Sequence, residues 1–371
     1  MFSNKKFLFL MFLICIALLL FNYRDTTVKI SLFDTTSTVI PFFDNNDEPI
    51  DLNPLSPKEV QKNLINQTSN DDYIVECESE PWIDDDGYFE ASQQYIQSLS
   101  NSTSADRLLG YAFFAIPPEG ESRLDLLRAY NETFPNNSLI LMEAASLCST
   151  STYECDKNFI DTAIASDKVN GAMWLNGINF FAKQGDDEGV LRSISGLVKT
   201  SMFNEKFGER ITLYTQVLAG SNTSDFRTNV VSGIGIEAAR ASGISHIFNW
   251  CKKGVGDNTK VNACLDLGRN LTERANMLFP QHMGIAMQKI IYEAENNIEM
   301  HELKEKETQK LIKFSKRKQY DKASYLMAHD EKLIRNWLNN IDSIGEVESI
   351  KVVIKEAILL SQQKGISACE N

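Results

Sequence analysis

The sequence predicts an all-α protein. Three observations carry this. Apolar residues recur at helical spacing through most of the chain beyond residue 86. Gly-, Asn- and Asp-bearing turns separate the amphipathic runs. The first three pairs of runs start near Ser104, Ser138 and Gly171, which are 34 and 33 residues apart, a period that belongs to repeated helical hairpins. On this reading the chain divides into an N-terminal apolar segment at 1–24, a polar tether at 25–85, repeated helical hairpins at 86–220 and a C-terminal helical region at 221–371.

The N-terminal segment has Lys5 and Lys6 followed by fifteen apolar residues, Phe7 to Phe21. Fifteen is short for a spanning helix of about 20 residues, but Asn22 and Tyr23 suit the interface. A signal-peptide core would look similar. The bulky "LLLFNYRDTT" lacks a small-x-small cleavage pattern, and Ile14 before Cys15 does not suit lipid attachment. The expectation is an uncleaved signal anchor: a single-pass membrane protein with residues 25–371 on the extracytoplasmic side, periplasmic in a bacterium. The tether that follows is rich in Thr, Asp and Asn, carries Pro41, Pro49, Pro54 and Pro57, and lacks sustained periodicity.

The hairpins come next. Runs at about 104–115 and 120–133 form the first pair, and runs at about 138–148 and 156–166 the second. The third is "GAMWLNGINFFAKQGDDEGVLRSISGL", from Gly171 to Leu197. Trp174, Ile178 and Phe181 share one face of its first helix, Gly185 and Asp186 break it, and Val190, Ile194, Leu197 and Val198 repeat the pattern. A lone αα-hairpin cannot bury its apolar face, so neighbours are required.

Residues 171–200 resemble a tetratricopeptide (TPR) repeat. The resemblance rests on Trp174, Gly177, Phe181, Gly185 and Asp186, with Ala163, Ile164 and Asp167 ending the preceding copy and "FPNN" at 134–137 separating two copies. Lys168 stands where Pro is usual, Val190 where Ala is usual, and the first two copies lack the Trp. The likeness covers roughly 100 of the 371 residues. It implies a solenoid whose first helices line a concave groove. Trp174, Gly177, Ile178 and Phe181 would then pack between helices, while Leu175, Asn179 and Lys183 would face the groove and a protein or peptide partner.

Cys15 lies in the apolar segment, and six cysteines remain. They allow fifteen connectivities. Separations of 7 and 13 residues favour Cys148–Cys155 and Cys251–Cys264, which leaves Cys77 to pair with Cys369. Loop-closure entropy gives roughly 2.5–3 kcal/mol for each short bridge. Zinc is disfavoured, because there is no CxxC and no His at ligand spacing.

Beyond the hairpins, "EKFGERITLYTQVLAG" reads as one amphipathic helix. "GIEAARASGISHIFNWCKKG" and "VNACLDLGRNLTERANML" read as a helix pair around Cys251 and Cys264. Residues 284–328 form long helical segments with a basic cluster from Lys310 to Lys322. "VESIKVVIKEAILLSQQ" places Ile350, Val353, Ile354, Ala357 and Ile358 on one last helical face.

Chemistry is harder to find. "GIGIEA" at 233–238 lacks the βαβ context of a dinucleotide fingerprint. "DDDG" at 84–87 lacks the alternate carboxylates of a calcium loop, and "HELKE" at 301–305 lacks a second His. No Gly-x-Ser-x-Gly elbow occurs, and His246, His282, His301 and His329 are scattered. No catalytic residue, metal ligand or cofactor site is nominated. A net charge of −13 disfavours nucleic acid as a partner. The expectation is a membrane-anchored binding scaffold. The alternatives are an enzyme with its site in the C-terminal helices, or an accessory subunit of an envelope complex.

Overall fold

The computed structural model describes residues 73–77, 87–150, 155–221, 224–240, 244–315 and 318–369. The expected anchor at 1–24 and most of the tether lie outside the described residues. The described part is all-α. Its sixteen α-helices are α1 (Tyr88–Ser98), α2 (Ala105–Phe114), α3 (Arg123–Thr133), α4 (Ser138–Thr150), α5 (Lys157–Ser166), α6 (Gly171–Gln184), α7 (Asp187–Val198), α8 (Phe207–Leu218), α9 (Phe226–Ala238), α10 (Ser245–Lys253), α11 (Asn258–Arg274), α12 (Leu278–Ala294), α13 (Ile298–Ser315), α14 (Lys318–His329), α15 (Glu331–Ile344) and α16 (Glu346–Lys364). None of these helices is long and apolar enough to cross a membrane.

Local chemistry starts and stops the hairpin helices. Ser122 and Asp125 form a reciprocal capping box at α3. Asp156 caps α5 through the Phe159 N–H at 2.7 Å, and Asp186 caps α7 through the Gly189 N–H at 2.8 Å. Gly185 ends α6 at φ 71°, a left-handed conformation that favours glycine. The Gly185-Asp186 pair therefore stops one helix and starts the next.

Neighbouring helices pack as hairpins: α2 with α3, α4 with α5, α6 with α7, and α4 also lies against α6. At Gly177 an added Cβ would sit 2.7 Å from Ile164 Cδ1, so the absent side chain lets α5 approach α6. Ile178, Phe181, Val190, Ile194 and Leu197 are all buried in the third hairpin. Full burial of such side chains is worth roughly 1.5–3 kcal/mol each.

The run then departs from a simple stack. It is α11, not α8, that packs on α7, while α10 lies against α6 and α12. Helix α8 packs instead against α1, α2, α9 and α15. The run read as one helix at 235–254 is divided, with α9 ending at Ala238 and α10 beginning at Ser245. "GIGIEA" falls inside α9, which removes the dinucleotide reading.

Two apolar cores result. One spans α1–α8 and α10–α12. The other gathers Ile211, Val230, Met277 and Leu278 with α13–α16 and residues 74–77. That last segment corrects the tether boundary. Ile74 and Val75 are buried, and the Val75 N–H donates to Ser361 Oγ at 3.0 Å.

All three disulfides form: Cys77–Cys369, Cys148–Cys155 and Cys251–Cys264, with Cα separations of 5.4, 5.8 and 5.8 Å. The first ties the 73–77 strap to the C-terminal end, the second spans the α4–α5 connection, and the third joins α10 to α11. Three bridges are the mark of an oxidising, extracytoplasmic environment.

Candidate functional site

Two of the three residues expected to line a groove, Leu175 and Asn179, are buried, and the third, Lys183, is partly exposed. Leu175 is 8% exposed and Asn179 only 3%. The Asn179 amide donates to the Leu175 carbonyl within α6 at 3.1 Å. Lys183 bends back onto α4, where Nζ donates to the Cys148 carbonyl at 3.0 Å, and burial holds its ammonium below the usual lysine range. The physical reason is that α6 is packed by α4, α5, α7 and α10, so its former solvent stripe meets protein.

Of the four residues expected to pack, Gly177, Ile178 and Phe181 are buried, whereas Trp174 stays partly exposed. Its ring crosses the α6–α7 seam within the third hairpin and lies on Gly196. The indole Nε1 donates to the Lys168 carbonyl at 2.8 Å, which fixes the ring.

That ring lines an open cleft of about 650 Å³, with Lys168 and Val169 from the α5–α6 connection, Arg192 and Ser195 from α7, and Lys199, Thr200 and Ser201 just beyond it. The volume is within the range of small-ligand pockets. Val169 is 50% exposed, and Met202, paired with the neighbouring Asn170 in a β-bridge, is 41% exposed. Apolar surface thus continues past the cleft mouth.

The scaffold under the cleft is stiff because its backbone groups are paired. Buried Asn170 receives the Ala172 and Asn204 N–H groups on Oδ1 and donates to the Asn204 carbonyl and to Asp167. The Gly171 N–H donates to the Met202 carbonyl at 2.8 Å. Arg274 of α11 donates to the Val198 and Thr200 carbonyls.

Charge distinguishes the cleft from the rest of the chain. Acids outnumber bases 50 to 37 overall. The cleft lining has three cations and no acid. Arg192 is paired with Asp161 at 2.8 Å, while Lys168 and Lys199 make no ion pair among the described residues. Sequence reasoning missed Lys168, Val169, Arg192, Ser195, Gly196 and Lys199 as a set. A signal existed: Arg192, Ser195, Gly196 and Lys199 follow i, i+3, i+4, i+7 spacing, a stripe of small and cationic residues.

A second polar cluster lies around α8. Arg210 pairs with Glu237 at 2.6 Å, and Arg240 bridges Glu237 and Glu143. Asp342 of α15 caps α8 from a distant part of the chain, accepting from the Gly208 N–H at 3.0 Å and the Glu209 N–H at 2.6 Å. Glu205 is half-buried beside Arg210, whose guanidinium donates to its backbone carbonyl. Burial, opposed by Arg210 and reinforced by Glu346, Glu237 and Asp342, pushes its carboxyl up to about 7. Among the described residues no group of three His, Cys, Asp or Glu side chains is placed to hold a metal.

No protein-family model, curated protein or solved structure matches this chain.

Proposed function

We propose that this protein is an extracytoplasmic binding scaffold of tetratricopeptide-like hairpins, held to the membrane by residues 7–21, and that it takes a protein or peptide partner in the α6–α7 cleft. The observation that carries the reading is Trp174: an aromatic ring pinned by its own indole N–H, partly exposed, and flanked by cations and exposed aliphatic side chains. Aromatic side chains, Trp above all, are enriched among the residues that dominate protein interfaces. The repeat reading is supported by the 33–34-residue period, the α4–α6 neighbour packing and the Gly185-Asp186 turn. The anchor reading is supported by the Lys5/Lys6 flank and the apolar run behind it.

Photo-crosslinking in intact membranes tests the site. A photoreactive residue at exposed Ser195 should give a discrete adduct that a control at exposed Lys253 of α10 does not. Identical adduct patterns at both positions would sink the cleft as the binding site. Alkaline carbonate washing tests the anchor, which requires the chain to stay with the membrane fraction.

A further inference from the structure

We infer that the α6–α7 cleft receives an acidic segment of a partner protein, with an apolar side chain seated on Trp174 and carboxylates meeting Lys168 and Lys199. This rests on the peptide-binding reading and names the class of peptide.

The cleft and an acidic, apolar segment are complementary. The cleft offers an aromatic ring and, beside it, exposed Val169 and Met202, so an aliphatic or aromatic side chain finds partners there. The charged residues that line the cleft are all cationic. Arg192 already has Asp161, but Lys168 and Lys199 have no carboxylate among the described residues. An incoming carboxylate therefore displaces no internal pair on either lysine. A basic segment would meet two unpaired like charges, and a neutral one would leave both lysines unused.

The chain's net charge of −13 repels anions at long range. At physiological salt that field decays over about 8 Å, so within the cleft the adjacent lysines outweigh the distant acids. The same screening makes the interaction salt-sensitive, and it confines recognition to a segment that reaches the cleft itself. Arg274 and Asn170 hold the rim in place before any ligand arrives, which lowers the ordering cost of binding.

The test uses the full chain in zwitterionic detergent and three labelled peptides of equal length, alternating Leu with Glu, Gln or Lys, read by fluorescence anisotropy. The Glu peptide should bind about tenfold tighter than the Gln peptide, and the Lys peptide weakest, with the Glu advantage shrinking as salt rises. Lys168→Glu combined with Lys199→Glu should abolish that advantage while leaving thermal unfolding unchanged, because both side chains are exposed. Ser195→Trp, which fills the cleft, should weaken every peptide.

Equal affinity for the Glu and Gln peptides, both lost in Ser195→Trp, would overturn the acidic class and leave the scaffold reading standing. Absence of all peptide binding together with absence of a Ser195 adduct would remove the scaffold reading and this inference with it. A further arm uses vesicles of phosphatidylglycerol against phosphatidylcholine. Capture of the anionic vesicles through Lys168 and Lys199, without peptide binding, would overturn the proposal in favour of a lipid surface.

Discussion

The indole of Trp174 lies on the backbone of Gly196, so close that a Cβ at Gly196 would sit 2.3 Å from ring atom Cζ3. This single relationship closes the α6–α7 seam and forms part of the wall of the cleft. Gly196→Ala should therefore force the ring off its site and cost about 1–3 kcal/mol by overpacking. In a Trp174→Ala background the same change should be neutral, or stabilising by up to about 1 kcal/mol through helix propensity. Denaturant melts of the four chains of this double-mutant cycle measure the coupling. Additive effects would mean that the ring does not rest on Gly196.

Leu175 and Trp174 should exchange the roles that periodicity assigns them. Leu175 is buried, so Leu175→Ala should cost about 2–5 kcal/mol. Trp174 is partly exposed, so Trp174→Ala should fall at or below the lower end of the roughly 3–5 kcal/mol of a buried Trp. Peptide affinity per folded molecule should fall in Trp174→Ala and hold in Leu175→Ala. A melt in which Leu175→Ala matches the parent would reject this packing.

The disulfides should differ in weight. Cys77–Cys369 spans 292 residues, against 7 for Cys148–Cys155. Loop-closure entropy then gives roughly 5–6 kcal/mol for the long bridge and about 2.5 for the short one. Paired Cys→Ser variants compared by denaturation should keep that order. Non-reducing peptide mapping should recover all three linkages. Loss of Cys77–Cys369 should also expose the buried Ile74–Val75 strap to proteases.

Glu205 should make stability fall as pH rises towards neutrality. Its carboxyl titrates near 7 in the folded state, above the ordinary carboxylate value of 4.5. Across that window the folded chain holds a proton that the unfolded chain has released, so stability is fullest below it and is lost as pH passes through 7. Burial raises Glu346 in the same sense, whereas the lowered Asp186 and Asp187 act only on the acid side. Glu205→Gln should flatten the profile and exceed the parent above pH 7 by on the order of 3 kcal/mol at most. Parallel pH profiles for the two chains would show that Glu205 ionises normally.

What the sequence determined by itself was local. Ser122, Asp156, Asn170 and Asp186 stand before apolar runs and cap the helices that follow, and Gly185 supplies the one left-handed residue between α6 and α7. Each is legible because the cap and its partner lie within three residues. The hairpins at 105–198 follow from periodicity, and two disulfides follow from short spacing in an exported chain.

The tertiary structure decided what covers each face. Helical spacing marks an apolar stripe, but it does not say whether the opposite stripe meets water or another helix. Leu175 and Asn179 went inside because α4 and α10 pack on α6, which carries apolar residues on every side, from Met173, Trp174 and Leu175 to Phe180. The Asp342 cap on α8 joins residues more than 130 positions apart, and so does the repulsion between Glu205 and Glu346. The cleft follows the same logic. Lys168, Trp174 and Lys199 come from three separate segments, and only close packing of a ring on a glycine brings them to one place.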